Sequence, residues 1–230
     1  MMPDMSALLR RHFDLLLLAA IGTLLVAFPQ IDLAIAGLFY DPFDGFYLRE
    51  NPFVRLVFHG VPWITRTVVV SLVLFLLASW TIWRRRAFFS RQRRAALYLL
   101  LVMIIGPGLL VNTVFKEHWG RARPSQVEEF GGTQQFTRAA IPADQCEKNC
   151  SFVSGHASIG FFFLAFAFVW PRRRMLWLAA GTGLGLGIGL VRMMQGGHFF
   201  SDVIFCGIVV YLSACVLHAV MFHPVTESRA

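Results

Sequence analysis

Residues 203–221 read VIFCGIVVYLSACVLHAVM, a run that contains no Asp, Glu, Lys or Arg. An α-helix needs about 20 mostly apolar residues to cross the hydrocarbon core of a bilayer. Similar stretches lie earlier in the chain, at residues 13–29, 61–83, 96–115, 156–170 and 175–194. The pattern predicts an all-α fold, an integral membrane bundle of six transmembrane helices with no sheet of any size.

The overall composition also indicates a membrane protein. Of the 230 residues, 57% are hydrophobic and 15% are charged, whereas roughly a quarter of the residues in a soluble domain are charged. The length allows a single domain, over residues 1–230. The formal net charge is +8, but the arginines cluster between apolar runs and form no stripe interleaved with polar and aromatic residues. We therefore expect no nucleic-acid partner.

Arginine clusters predict the orientation of the bundle. They lie before the first span (Arg10, Arg11), between the second and third (Arg84, Arg85, Arg86, Arg91, Arg93, Arg94), and between the fourth and fifth (Arg172, Arg173, Arg174). If six helices alternate in direction, every cluster falls on one side, which the positive-inside rule makes cytoplasmic. The loops 30–60, 116–155 and 195–202 then face outward. Residues 30–59 are mixed and aromatic, which favours a short amphipathic helix and a loop along the interface.

Glycines recur in the predicted fifth span. Gly181, Gly185 and Gly189 are four residues apart and therefore share one face of a helix. Small residues at this spacing let a second membrane helix approach closely. We expect a packing role for this ridge and no chemical one.

Two of the four cysteines, Cys146 and Cys150, lie in the predicted outer loop 116–155. A disulfide between them is expected in an oxidising compartment. A metal pair is the alternative, but two thiols need two further ligands, and none is evident nearby. We predict a Cys146–Cys150 disulfide.

Lys116 and Arg123 make the first of three stretches suited to binding phosphate. They are separated by about two helical turns, so a helical segment would point both into one pocket. Pro124 then ends the helix or bends the chain. Arginine offers a planar fork to phosphate oxygens, and lysine a compact charge. Alone the pair is a weak signal, because cations at a membrane boundary usually extend to lipid headgroups.

Ser154-Gly155-His156 opens the predicted fourth span and forms the second stretch. Backbone amides at a helix N-terminus favour an anion, and glycine lets the backbone come close to it. The Ser154 hydroxyl adds a donor, and His156 is placed to give a proton to a leaving alkoxide. The alternative is an N-cap serine followed by an interfacial histidine.

Arg192, His198 and Asp202 form the third stretch. His198 and Asp202 are four residues apart and share one face of a helix, so Asp202 could hold one ring nitrogen and leave the other free to attack phosphorus. His-x-x-x-Asp also suits a metal. Against that reading, Arg192 and the other cations would repel a metal ion, and no acidic cluster is present. We therefore expect no metal site.

The three stretches, Lys116-x6-Arg123-Pro124, Ser154-Gly155-His156 and Arg192-x5-His198-x3-Asp202, resemble the signature motifs of the type 2 phosphatidic acid phosphatase (PAP2) superfamily. The resemblance spans residues 116–202. It implies a phosphoric monoester hydrolase that needs neither metal nor cofactor and acts in two steps. His198 would attack phosphorus and form a phosphohistidine, Asp202 would orient and charge-stabilise His198, and His156 would protonate the leaving group. The phosphoryl oxygens would be held by Lys116, Arg123, Ser154, Gly155 and Arg192.

A narrower resemblance concerns the substrate. The runs FVSGHAS at 152–158 and WGRARP at 119–124, with Cys146 and Cys150-Ser151 before the former, resemble bacterial inner-membrane lipid A phosphatases, particularly those acting at the 4′ position. Phosphatidylglycerophosphate and undecaprenyl pyrophosphate phosphatases share the core motifs and remain alternatives. The resemblance implies a lipid phosphate substrate and an active site facing the periplasm. Val153 and Val191 stand where the family usually has Pro and Ser.

Other functions are compatible with the same residues. A lipid phosphotransferase would form the same phosphohistidine, and the sequence does not separate it from a hydrolase. A non-enzymatic transporter or binder of anionic lipids would use the cations alone, but the predicted spans are nearly free of ionisable residues, so a translocation path is less favoured. In the outer loop, Arg121, Arg138 and Lys148 either meet a second phosphate or acidic sugar or are simply solvated. The oligomeric state is left open.

Overall fold

The computed structural model describes residues 13–82 and 88–222, which form a helical bundle. Its helices are α1 (Phe13–Ala27), α2 (Gln30–Gly37), α3 (Pro52–Thr81), α4 (Phe88–Met103, continued by a π-helical stretch Ile104–Phe115 and by Lys116–His118), α5 (Gly155–Phe161, continued by Phe162–Ala165 and Phe166–Val169), α6 (Arg174–Met194) and α7 (Phe200–Phe222). Short 3₁₀ turns lie at Pro124–Gln126, Glu128–Phe130 and Pro171–Arg173. Within the described ranges there is no strand, so the all-α prediction is confirmed.

The chain is an integral membrane protein. Helices α3, α4, α6 and α7 are each long and apolar enough to cross a bilayer. Helices α1 and α2 are bent by 81° at a short break and add a fifth span if the pair crosses as one. Helix α5 lies at the predicted fourth span and is a shorter apolar helix. Of the arginines used to predict orientation, Arg10, Arg11 and Arg84–Arg86 lie outside the described residues.

The segment predicted to lie along the interface is divided differently in the structure. Helix α2 is present, but α3 begins at Pro52, well before the predicted residue 61. The Asn51 side chain explains this start, because its Oδ1 accepts a hydrogen bond from the Phe53 amide at 3.0 Å. Proline at the first helical position loses no hydrogen bond there. Residues 52–59, expected in the interfacial segment, are therefore the first turns of a spanning helix.

The bend between α1 and α2 lies at Pro29, whose ring cannot donate a backbone hydrogen bond to continue α1. The bend turns α2 across the bundle towards the start of α7. Asp32 of α2 is buried there, and its Oδ1 accepts a hydrogen bond from the Ser201 amide at 2.8 Å. The N-terminal helices are thus attached to the helix that carries the third predicted motif.

The glycine ridge of α6 packs as predicted. A Cβ atom at Gly181 would lie 2.6 Å from the Leu164 backbone, and one at Gly185 would lie 2.4 Å from the Phe161 ring. A Cβ atom at Gly189 would lie 2.3 Å from Val203. The ridge therefore lets α5 and α7 approach α6 closely enough to bury this face.

The two ends of the bundle differ in chemistry. Arg91, Arg172 and Arg173 line a cavity of about 810 Å³ together with Leu72 and Phe75 near the C-terminal part of α3. The predicted phosphate-binding stretches lie at the opposite ends of these helices, where α4 and α6 end and α5 and α7 begin. Arg91, Arg172 and Arg173 therefore lie at one end of the bundle, and the candidate site lies at the other.

We predict that Gly185→Ala lowers the free energy of unfolding of the detergent-solubilised protein by about 1–3 kcal/mol, because the added methyl group overlaps the buried Phe161 ring. A lower melting temperature is the readout. Gly187→Ala is the matched control, since no atom lies within 4 Å of the added Cβ atom. The control should be neutral or slightly stabilising, since alanine favours helix more than glycine does. Equal melting temperatures for the two variants would contradict the packing of the ridge.

Candidate active site

Helix α4 delivers Lys116 to the start of α5. A Cβ atom on Gly155 would lie 3.4 Å from Lys116 Nζ and only 2.3 Å from Asn112 Oδ1, so this position has no room for a larger residue. Asn112 lies in the wide π-helical turns of α4, where its side-chain Nδ2 donates a hydrogen bond to the Pro107 carbonyl at 2.7 Å. The first and second predicted stretches therefore meet at Gly155.

A tight turn between α6 and α7 carries His198. Gly196 has a φ of +65°, a conformation that residues with a Cβ atom rarely adopt. The Gly197 amide donates to the Arg192 carbonyl at 3.0 Å, and a Cβ atom on Gly197 would lie 2.5 Å from Arg192 Nη2. Arg192 also donates to the Gln195 side chain. The guanidinium is thus folded back over the turn that holds His198.

His198 is buried and has one free ring nitrogen. Its Nδ1 lies 2.6 Å from the Ser151 carbonyl oxygen, which can only accept, so Nδ1 carries the proton. Its Nε2 is buried and has no hydrogen-bond partner among residues 13–82 and 88–222. Burial, followed by the positive charges of Arg192, Lys116 and Arg123, lowers the pKa of His198 well below 6.5. The ring is therefore neutral, with the lone pair of Nε2 available for attack.

Asp202 does not orient His198 directly, contrary to the expectation from their spacing. Its Oδ2 lies 3.9 Å from His198 Nδ1, too far for a hydrogen bond. The reason is that both carboxylate oxygens are already engaged: Oδ1 accepts from Arg121 at 2.6 Å, and Oδ2 accepts from the Ser151 hydroxyl and the Phe199 amide. The Ser151 carbonyl takes the orienting role, and Asp202 acts on the ring through Ser151.

Arg121 is fully buried and joins three parts of the chain. Its guanidinium donates to Asp202 at 2.6 Å, to Asp32 at 2.8 Å, to the Ser201 hydroxyl at 2.8 Å and to the Thr137 carbonyl at 3.0 Å. Burial disfavours its charge, but the carboxylates of Asp202 and Asp32 outweigh that effect and raise the pKa of Arg121. Arg121 is therefore an internal cation.

This placement corrects one expectation and adds residues that the sequence did not reveal. Arg121 was expected in a solvated loop or against a second phosphate, and its engaged guanidinium excludes both. Asp32, Ser151 and Ser201 are buried partners of the network. The signal available for Asp32 was its position as a lone carboxylate in an otherwise apolar helix. Nothing local marks the two serines, because their partners are remote in sequence.

His156 packs against the first turns of α3. Its Nε2 lies 3.2 Å from the Phe58 carbonyl oxygen, and its ring stacks on the Phe58 ring with centroids 4.7 Å apart. The guanidinium of Arg192 lies over the same Phe58 ring, 4.6 Å from its centroid. Phe58 therefore holds the second histidine and one motif arginine side by side.

Three buried polar atoms of the motif residues have no partner within the described part of the chain: Ser154 Oγ, Arg192 Nε and His198 Nε2. Ser154 precedes α5, yet its side chain makes no capping bond. Buried polar groups in folded proteins are normally hydrogen-bonded. A bound phosphoryl group would supply acceptors for the hydroxyl and the guanidinium and an electrophile for the imidazole.

The loop between α4 and α5 fixes Arg123. Its Nη2 donates to the Asn149 carbonyl at 2.7 Å. Cys146 and Cys150 form the predicted disulfide, and the Cys150 amide donates to the Lys116 carbonyl at 3.0 Å. The loop is thus closed against the end of α4, with Arg123 held beside it.

The motif arginines open onto a cavity of about 290 Å³. It is lined by Arg49, Glu50, Arg55, Phe58, His59, Arg123, Ser125, Arg192, Gln195, Gly196 and Gly197. Burial and then the charge of Arg49 lower the pKa of Arg123. Arg49, Arg55 and His59 were not selected from the sequence, since they belong to no motif.

Chemically, the arrangement offers a neutral imidazole among fixed cations. That combination suits nucleophilic attack on a phosphate group, whose oxygens the cations would hold. Among residues 13–82 and 88–222, no group of three or more His, Cys, Asp or Glu side chains is placed to hold a metal ion.

Comparisons with known proteins agree with this chemistry. The PAP2 superfamily matches residues 95–225 of the chain. A protein of Francisella tularensis subsp. novicida named Lipid A 4'-phosphatase is 42% identical over 207 residues, which cover 85% of this chain and 88% of that protein. No solved structure gives a significant match.

Two further relatives differ in how much of the chain they match. A Lipid A 4'-phosphatase of Rhizobium leguminosarum is 34% identical over 88% of this chain and 90% of its own length. A Lipid A 1-phosphatase of Rhizobium johnstonii is 34% identical over 50% of this chain and 46% of its own length.

We predict that Asp32→Ala lowers both the folding stability, by about 3–5 kcal/mol, and the catalytic rate constant. The substitution leaves Asp202 as the remaining carboxylate partner of the buried Arg121 charge. Because Asp202 also accepts the hydrogen bond from the Ser151 hydroxyl, the change disturbs the position of Ser151. Melting temperature and turnover in the same detergent measure both effects. Asp44→Ala, which removes an exposed carboxylate from the loop before α3, should change neither.

Loss of stability together with unaltered turnover per folded molecule would show that the network has no influence on the function of the site around His198.

Proposed function

The chain belongs to the PAP2 superfamily, and from that membership we propose that it is a membrane lipid phosphatase that removes the 4′-phosphate of lipid A. One observation carries the choice of substrate. Similarity to proteins named Lipid A 4'-phosphatase extends along nearly the whole chain, whereas similarity to proteins named Lipid A 1-phosphatase covers half of it. The proteins named Lipid A 4'-phosphatase therefore share a larger part of this chain than those named Lipid A 1-phosphatase.

In the proposed first step, Nε2 of His198 attacks the phosphorus atom and the bond from phosphorus to the lipid oxygen breaks. The product is a phosphohistidine on this nitrogen. The absence of a hydrogen-bond partner at Nε2 and the contact of Nδ1 with the Ser151 carbonyl support this assignment. His198 would not need to lose its Nδ1 proton for the attack, because Nδ1 donates this proton to the Ser151 carbonyl throughout the step.

His156 is the proposed acid in this step and the proposed base in the next. It would give a proton to the lipid alkoxide as the alkoxide leaves, and would then take one from the water that attacks the phosphohistidine. Stacking on Phe58 fixes its ring plane, and the contact of Nε2 with the Phe58 carbonyl leaves Nδ1 for proton transfer. The second step releases inorganic phosphate and restores His198.

Lys116, Arg123 and Arg192, with Ser154 and the Gly155 backbone, would bind the phosphoryl oxygens. Fixed cations stabilise the charge that develops in the transition state without needing to reorganise. The mechanism requires no metal and no cofactor, because these residues supply the positive charge. His198 would become positively charged during the attack. Asp202 would stabilise this charge directly, with its Oδ2 3.9 Å from His198 Nδ1, and also through Ser151.

We further infer six membrane crossings in a bacterial inner membrane, with the site facing the periplasm. The four long helices, the bent pair α1–α2 and the short helix α5 would make the six. The arginines of residues 91–94 and 172–174 lie at the end opposite the site, which the positive-inside rule assigns to the cytoplasm.

We predict that the purified protein releases inorganic phosphate from lipid A in the presence of a chelator, and that His198→Ala lowers the rate by about a thousand-fold or more. His118→Ala is the matched control, because His118 is an exposed histidine at the end of α4 and should keep full activity. Mass spectrometry of the product lipid identifies which phosphate is lost.

Retained activity in His198→Ala would remove the proposed nucleophile. Loss of the 1-phosphate would overturn the assigned position. Radiolabel that appears in a second lipid, with none in free phosphate, would replace the hydrolase by a phosphotransferase.

The pH dependence provides a separate test. Because the pKa of His198 lies well below 6.5, the nucleophile stays neutral through pH 6.5 and is lost only as pH falls through the lower value. The acidic limb of kcat/KM should therefore lie below pH 6.5. Arg123→Gln removes one of the charges that depress this pKa, so its acidic limb should move upward in pH. A limb at or above 6.5 that the titration of the lipid phosphate itself does not account for would contradict the buried, neutral ring.

A further inference from the structure

The cavity over the motif residues has a second wall that the reaction does not use. Arg123 and Arg192 form one side, and Arg49, Arg55 and His59 form the other. The second wall comes from the loop before α3 and the first turns of α3, which lie outside the region matched by the superfamily, residues 95–225. The reaction proposed above assigns these three residues no role.

The second wall is held in a defined position. Arg55 and His59 are four residues apart on α3 and therefore share one face of the helix. Phe58, between them in sequence, contacts both His156 and Arg192, so this part of α3 is fixed against the reacting residues. Arg49 precedes the Asn51 cap that begins the helix.

The balance of charge around the cavity indicates what it binds. Four guanidinium groups line it against one carboxylate, Glu50, which pairs with Arg55 at 3.1 Å. Burial, and then the charge of Arg49, lower the pKa of Arg123, and both arginines line the same cavity. A single phosphate monoester carries at most two negative charges. Lys116, a motif residue that does not line this cavity, adds a further positive charge to the site. Glu50 and one such phosphate together offset at most three of the four guanidinium charges, so an excess of positive charge remains at the cavity.

We propose that Arg49, Arg55 and His59 form a subsite for a second anionic group on the same lipid headgroup. The group is a phosphate, since guanidinium forks bind phosphate oxygens in a bidentate way. The subsite rests on the proposed function, because it assumes that the motif residues hold the phosphate that reacts. It makes the enzyme selective for headgroups that carry more than one negative charge.

The subsite also replaces an earlier candidate for this role. Arg138 and Lys148 of the outer loop are exposed and do not line the cavity. Arg121, the third cation of that loop, is engaged inside the protein. The cations placed to meet a second anionic group beside the motif residues are therefore those of the second wall.

The test removes the anionic group from the lipid and the cation from the protein in turn. Lipid A that carries both phosphates is compared with lipid A that carries only the 4′-phosphate, and kcat/KM is measured for each. We expect the unaltered protein to favour the first substrate by about ten-fold. Arg49→Gln and Arg55→Gln should each reduce the preference to about two-fold or less, chiefly through KM for the bisphosphorylated lipid.

Arg138→Gln is the matched control, because it removes an exposed arginine that does not line the cavity, and it should keep the ten-fold preference. The preference is a ratio measured on one preparation, so any misfolded fraction of a variant cancels. An unaltered preference in Arg49→Gln and Arg55→Gln, a loss of preference in Arg138→Gln, or no preference in the unaltered protein would overturn the subsite.

A second measurement separates this proposal from the proposed function. Binding of the two lipids to His198→Ala protein in detergent does not require turnover. If the unaltered protein hydrolyses neither lipid, the proposed function fails, and the binding ratio still decides the subsite. A ratio of about ten that falls in Arg49→Gln supports it, and a ratio that is the same with and without Arg49→Gln refutes it.

Discussion

The guanidinium of Arg121 is fully buried, and the structure has to balance its charge. Asp32 from the bent N-terminal helix pair and Asp202 from the start of α7 do so, with the Ser201 hydroxyl between them. An uncompensated charge in such a place would cost several kcal/mol. Because the partners come from distant parts of the chain, the network sets the position of α2 and α7 relative to the loop before α5.

The same network sets the geometry of His198. Asp202 accepts a hydrogen bond from the Ser151 hydroxyl, and the Ser151 carbonyl accepts one from His198 Nδ1. The carboxylate therefore selects the tautomer without touching the ring. Indirect positioning of this kind leaves Asp202 free to neutralise Arg121, so one residue serves both the fold and the site.

The location of the site follows from the membrane. Helices that alternate in direction bring the end of α4, the start of α5, the end of α6 and the start of α7 to one end of the bundle. Cations there sit beside apolar helices, where electrostatic attraction to a phosphate is stronger than in water. A lipid headgroup lies at the same depth, so the substrate can reach the site while its acyl chains remain in the bilayer.

The sequence by itself determined the helical class, the apolar segments and the close packing at Gly181, Gly185 and Gly189, and it predicted the three stretches proposed to bind phosphate. These properties depend on short-range periodicity and on residue type, which are local. Tertiary structure decided that Arg121 is internal and that Ser151, not Asp202, forms the hydrogen bond to the His198 ring. It also decided that α3 supplies Phe58, and that α3 and the loop before it supply the second wall of the cavity. Each of these is a contact between segments far apart in the chain, and spacing along a sequence carries no information about which remote partner satisfies a buried polar group.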